Sequence, residues 1–277
     1  MTPFNKLSYK PNNNAFRPRP ASNGINWIGL YTFIRREWER MFRVVIQTLV
    51  TPWISATLYI LVFGFIVGTR IQSIAGVKYI DFVLPGILMM NVLASAFSHS
   101  SSSVYMARFM KTIEEILVAP LSHLEMIIGY ILGAIVRGII VGLGIFMIAV
   151  LFGAANIAHP FLILFYIISI SGIFGFLGML VGLWAKNFEQ LNVLNTFVIT
   201  PFIFLGGVFY SIQMLPAKAQ LIAQWNPFFY FVDGIRYAMI GVREGSALVG
   251  YALIFFLFFG LGYLTWHLFS RGWRLRE

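Results

Sequence analysis

The chain has 277 residues, 59% hydrophobic and 11% charged, with a net charge of +10 and no cysteine. A soluble domain carries roughly a quarter of its residues as charges, and a water-facing surface has no place for 28 Phe, so the composition points to an integral membrane protein without a separate soluble domain. The basic residues sit in flanks and a tail, where membrane topology accounts for them better than nucleic acid does, and the lack of Cys removes disulfides and thiolate metal sites.

Residues 1–25 are rich in Pro, Asn and Arg and form an expected disordered basic tail. The first long apolar run begins near Val44, too far in for a cleavable signal peptide. Before it, residues 26–43 place Trp27, Leu30, Tyr31, Ile34, Trp38, Met41 and Phe42 on one helical face. Arg35, Arg36, Glu39, Arg40 and Arg43 fall on the other. That pattern predicts an amphipathic helix lying in the membrane surface.

Stretches of about 20 apolar residues, enough to cross a bilayer core, occur near 44–68, 82–104, 125–152, 160–184, 191–210 and 247–269. With the N-terminus in the cytosol, fourteen of the twenty Lys and Arg lie on the cytosolic side. The bias favours both termini in the cytosol, leaving 271–277 as a basic cytosolic tail.

Residues 105–124 then form a cytosolic loop. Thr112 and Glu115 have capping-box spacing, Ile113, Ile116 and Leu117 share one face, and Pro120 stops the helix. A second capping box, Ser122 with Glu125, opens the third span. Two caps in twenty residues suit a stiff part that transmits force; an ordinary connector on the membrane is the alternative. Residues 205–241 are too apolar for a water-exposed loop and are broken by Gly206-Gly207, Pro216 and Pro227. Short re-entrant helices in the outer leaflet are expected there, a seventh broken span being the alternative.

Polar residues recur on single faces of two spans. Asn91, Ser95, Ser98 and Ser102, with His99 beside them, mark the second span, and Asn192, Asn195, Thr196 and Thr200 mark the fifth. They either line a path or join helices. Gly129-x-x-x-Gly133, Gly138-x-x-x-Gly142 and Gly178-x-x-x-Gly182 suit close packing in the third and fourth spans, where Arg137 calls for a structural partner. Asp233 and Arg236, three apart, are expected to pair and hold the outer re-entrant piece.

No catalytic constellation is evident: H-E-x-x-H is absent, and the four His do not cluster in sequence. An ion-coupled carrier usually keeps carboxylates deep in its spans, and none is placed mid-span here. A pore without ATP coupling is the further alternative, and it has no use for a stiff loop.

The run TIEEILVAPLS, following FVLPGILMMNV, resembles the coupling region of type-2 ABC exporter permeases. The stretch LNVLNTFVITPFIFLGGVFYSIQMLP, with WNP and GIRYAMIG after it, resembles the same family's C-terminal signature. The resemblance covers nearly the whole chain from about residue 26. It implies an all-α fold of six transmembrane helices over 26–270, with a connecting helix at 26–43. The coupling helix would be Thr112–Ala119, and a smaller contact would come from Ala185–Gln190. A separate ATPase subunit would bind ATP-Mg, since this chain has no G-x-x-x-x-G-K-[ST] phosphate loop. The resemblance further implies a homodimer with two ATPase subunits in the bacterial inner membrane, exporting through a path lined by the second and fifth spans. With Glu115 capping, Glu114 is the freer charge for the ATPase. The polar faces lack a charge cluster, which favours an amphipathic or neutral substrate such as a lipid, a glycan or a drug.

Overall fold

The computed structural model describes residues 26–119, 121–154 and 156–275. The N-terminal tail at 1–25, the helix stop at Pro120 and the last two residues of the C-terminal tail lie outside the described residues.

Six helices are long and apolar enough to cross a membrane. In chain order, α1 is Trp27–Arg43 and the first of the six is α2, Ile46–Val67. A two-residue hairpin follows, β1 Ser73–Ile74 on β2 Val77–Lys78. Next come α3, Tyr79–Phe109, the short α4, Thr112–Val118, α5, His123–Leu151, and α6, Pro160–Trp184. The fifth long helix is α7, Phe188–Leu205, then the short α8, Ala217–Gln224, and α9, Pro227–Ile240, and last α10, Ala247–Ser270. The hairpin departs from the all-α expectation. Its turn, Ala75-Gly76, has positive φ at both positions, the geometry that joins two antiparallel strands across two residues.

The centre of the bundle is α3, 83% buried over its most apolar window, whereas α2 and α10 are 11% buried and can only be peripheral. Two glycines set its closest approach. A Cβ on Gly178 would stand 2.5 Å from the Phe97 carbonyl oxygen, and one on Gly182 2.7 Å from that of Ser101. With hydrogen at both positions, α6 lies directly on the backbone of α3. The outward side chains of the peripheral helices, Ile54, Leu58 and Phe65 on α2 and Phe255, Phe256 and Phe259 on α10, are exposed. Such a surface is stable in lipid rather than in water.

Both α2 and α7 contain a five-residue wide turn, Ile46–Val50 and Asn195–Ile199, followed by Thr-Pro. Proline has no N–H to donate and crowds the carbonyl four residues back. The wide turn relieves this, and the preceding threonine hydroxyl donates five residues back, Thr51 to the Ile46 carbonyl at 3.2 Å and Thr200 to that of Asn195 at 2.8 Å.

Gly206-Gly207 end α7, Gly207 at φ +76°. Beyond them the chain folds as helices of 8 and 14 residues, too short for a seventh span. Asn226 seats α9. Its side-chain nitrogen donates to the Phe202 carbonyl at 2.6 Å and its oxygen accepts the Phe228 N–H at 3.0 Å, while Pro227 fills the first helical position.

Gly178→Leu is expected to lower stability by about 1–3 kcal/mol through overpacking, read as a fall in the unfolding midpoint of the detergent-purified chain. An unchanged midpoint would mean that α3 and α6 are not in backbone contact.

Candidate functional site

The face of α1 that packs on the bundle takes in only part of its apolar row. Leu30, Phe33, Glu37 and Met41 are buried, whereas Trp27, Tyr31, Trp38 and Phe42 point outward. Phe33 seats over Gly129, where a Cβ would stand 2.2 Å from its ring, and meets Tyr130 edge-on with ring centroids 4.9 Å apart. The start of α1 is knotted to the start of α5. Glu125 closes the expected capping box with Ser122, its Oε2 accepting the Ser122 N–H at 2.6 Å, and its Oε1 also accepts the Asn26 N–H at 2.5 Å.

At α4 the expected capping box does not form. Lys111 turns the chain out of α3 in the left-handed conformation at φ +58° and occupies the cap position. That puts Thr112 inside the first turn. Its hydroxyl donates to the Ala107 carbonyl at 3.4 Å and accepts from Arg36 Nη2 at 3.5 Å. Glu115, freed from capping, is exposed like Glu114. Ile113 and Ile116 are buried against α3 and α5 in a cluster with Val104 and Met126, and Leu117 packs at its edge. The apolar face of α4 is thus satisfied within the chain, and its outward face is acidic.

Between α1, the start of α2, α3 and Arg137 of α5, at the end of the bundle that carries α4, lies a cleft of about 740 Å³. Its floor holds Glu37, 1% exposed, which accepts the Ser103 hydroxyl at 2.5 Å. Arg40 Nη2 stands 3.3 Å and His99 Nε2 3.6 Å from the same carboxylate oxygen. Gly133 makes the room, since a Cβ there would meet His99 Nε2 at 2.6 Å. Arg40 also donates to the His99 carbonyl at 3.2 Å. Arg36, Arg43 and Arg137 line the cleft as well. Arg137 does not find the structural partner expected of it: among the described residues it makes no hydrogen bond or ion pair.

The polar rows divide. On α3, Ser98 and Ser102 line the cleft. Asn91 and Ser95 are buried further along the helix, Asn91 donating to the Ile87 carbonyl at 2.8 Å. On α7, Asn192 and Thr196 are exposed and Asn195 and Thr200 half-buried. No hydrogen bond joins the two rows among the described residues. The expectation that the polar faces lack a charge cluster fails at Ser98 and Ser102, which share their cleft with four arginines.

Asp233 and Arg236 are both buried, but they do not form an ion pair with each other. Asp233 accepts the N–H groups of Glu244 at 2.7 Å and Gly245 at 3.2 Å, and Arg243 approaches it at 3.8 Å. Burial pushes its carboxyl up, against the opposing pull of the Glu244 N–H and then the Arg236 charge. Arg236 donates to the carbonyls of Gly207 at 2.6 Å and Phe82 at 3.3 Å and lies 3.8 Å over the Phe82 ring. Burial brings it down to about 10, still a cation at neutral pH. The two residues turn to different partners, Arg236 to the Gly207 turn and α3, and Asp233 to the segment after α9.

Glu37 is the functional residue that pattern reading missed. The signal was its place in the stripe Leu30, Phe33, Glu37, Met41, a carboxylate at helical spacing among apolar residues.

The described residues thus hold six apolar helices with a short acidic helix, anchored to the bundle, between the second and third. Residues 29–240 match the ABC-2 type transporter family, and the chain belongs to it. The inner membrane transport permease YadH of Escherichia coli K12 is 34% identical over 253 residues, 91% of this chain and 99% of that protein. Nodulation protein J of Rhizobium meliloti strain 1021 is 27% identical over 245 residues, 85% of this chain and 92% of that protein. Nodulation protein J of Rhizobium leguminosarum bv. viciae is 25% identical over 228 residues, 79% of this chain and 84% of that protein.

Two outcomes are expected. Glu37→Ala leaves Arg40 and His99 facing an empty site and should cost about 2 kcal/mol, below the 3–5 of a fully buried pair because Arg40 is partly solvated; chemical unfolding of the purified chain measures it. The doubly exchanged Asp233→Arg, Arg236→Asp chain should be no more stable than either single variant, since an aspartate at 236 would face two carbonyl oxygens. Recovery in the double variant would show a direct pair.

Proposed function

We propose that this chain is the permease subunit of an ATP-driven exporter in the bacterial inner membrane, with both termini in the cytosol. Two copies form the path and two ABC ATPase subunits, which carry ATP-Mg, dock at the α4 end. YadH's description as an inner membrane transport permease, the family membership and the six apolar helices support this reading. The chain itself is a transport subunit and not an enzyme.

The observation that carries the coupling role is α4 itself. Ile113 and Ile116 fix it to the bundle, while Glu114 and Glu115 are presented outward. Both glutamates, rather than Glu114 alone, are therefore the contact offered to a basic rim on the ATPase, with Thr112 and Leu117 at the margins. Ala185–Gln190 supplies the smaller contact. ATP-driven closure of the partner pushes on α4 and reorients α3 and α5 with it. The path runs along the polar faces of α3 and α7, through Asn91, Ser95, Ser98, Ser102, Asn192, Asn195, Thr196 and Thr200, completed by the second copy. The substrate is amphipathic; a wholly neutral one loses its premise once arginines stand beside Ser98 and Ser102. An ion-coupled carrier gains no support, as no Asp or Glu sits mid-span.

An ATPase subunit should co-purify with the tagged chain in mild detergent. Glu114→Arg with Glu115→Arg should cut its stimulated ATP hydrolysis about tenfold, as expected for loss of charge-assisted contacts. Ile116→Asp should instead reduce the yield of folded protein, because it places a charge in the bundle. Full ATPase coupling in the Glu114→Arg, Glu115→Arg chain would remove α4 from the contact.

A further inference from the structure

The α1–α3–α5 cleft holds more positive charge than the chain itself neutralises. Four arginines line it, and Glu37 is its one carboxylate among the described residues. That carboxylate is already occupied by Ser103, Arg40 and His99. Arg137 is 7% exposed, lines the cleft, and has a buried Nε with no acceptor. An arginine held this deep without a partner is unfavourable unless something anionic completes it. A guanidinium fork matches two oxygens of a phosphate group. The walls are not purely polar, since Met41, Val44 and Met106 line them as well. Beside the cleft, the outward face of α1 exposes Trp27, Tyr31, Trp38 and Phe42, the residue types that mark the headgroup level of a membrane. A ligand here meets cations and apolar surface at once, at the depth of a lipid head.

We propose that this cleft binds a phosphate-bearing head group, with Arg137 and Arg43 holding the phosphate oxygens and the Met41, Val44 and Met106 wall taking the adjoining apolar stem. Arg40 stays engaged with Glu37 and contributes charge from the side. The inference deepens the permease reading by giving its amphipathic substrate, or a lipid that modulates it, an anionic head.

The test titrates dioctanoyl phosphatidate, dioctanoyl phosphatidylcholine and inorganic phosphate separately into the full-length chain in neutral detergent, read by tryptophan fluorescence and by the unfolding midpoint. Phosphatidate is expected to bind at least tenfold more tightly than phosphatidylcholine. Arg137→Gln should weaken it about tenfold, while Arg137→Lys, which keeps the charge and loses the fork, should fall between the unaltered chain and Arg137→Gln, its unchanged unfolding midpoint showing that the fold tolerates change at this site. Arg35→Gln, on the outer face of α1, should change nothing. Inorganic phosphate binding as tightly as phosphatidate would support the site and assign it to a soluble anion; weak phosphate binding assigns it to lipid. Equal binding of the two lipids by the unaltered chain, or unaltered binding by both Arg137→Gln and Arg43→Gln, would overturn the proposal. The assay needs no ATPase, so its failure and a failed co-purification are separate results.

Discussion

The burial of Glu37 decides where everything at its end of the bundle sits. A carboxylate removed from solvent needs partners, and those it has come from two helices, the Ser103 hydroxyl on α3 and Arg40 on α1 itself, with His99 Nε2 of α3 standing 3.6 Å away. Supplying them holds α1 against the bundle instead of letting it float in the headgroups. Gly129 and Gly133 on α5 remove the side chains that would block Phe33 and His99. With α1 fixed, Asn26 reaches Glu125 at the start of α5 and Arg36 reaches Thr112 at the start of α4. One buried charge thus organises four helices.

The opposite end uses the same chemistry differently. Arg236, Asp233 and Asn226 are all buried, and each turns its polar atoms on backbone groups: the Gly207 turn and α3 at Phe82 for the arginine, the Glu244–Gly245 segment for the aspartate, and α7 at Phe202 for the asparagine. Backbone that leaves helical geometry inside a membrane must find partners within the protein. Side chains supply them here, which is why α8 and α9 can exist at all between α7 and α10.

Hydropathy alone makes the six long helices legible, because each carries its own apolar run. The second box at Ser122 and Glu125 was legible for the same local reason. What pattern reading lost depends on neighbours distant in sequence. The buried face of α1 follows from glycines on α5 about 95 residues away. Asp233 and Arg236 look paired at helical spacing, yet each finds its own backbone partners. On α7 a wide turn at Asn195–Ile199 separates Thr200 from Asn192, Asn195 and Thr196, a local change of period that the spacing alone does not show.

The inward-facing isoleucines of α4 have a mechanical meaning. At 1.5 Å per residue, α3 is about 46 Å long, well beyond the roughly 30 Å of hydrocarbon, so its far end stands clear of the bilayer core. There α4 is braced from both sides, by the Lys111 turn into α3 and by the Ser122–Glu125 cap into α5. A flexible loop would absorb a push by bending. This one has no slack: its own apolar surface is already bonded to the block it would move. Under the coupling role proposed above, a load on Glu114 and Glu115 would reach α3, the most buried of the six long helices.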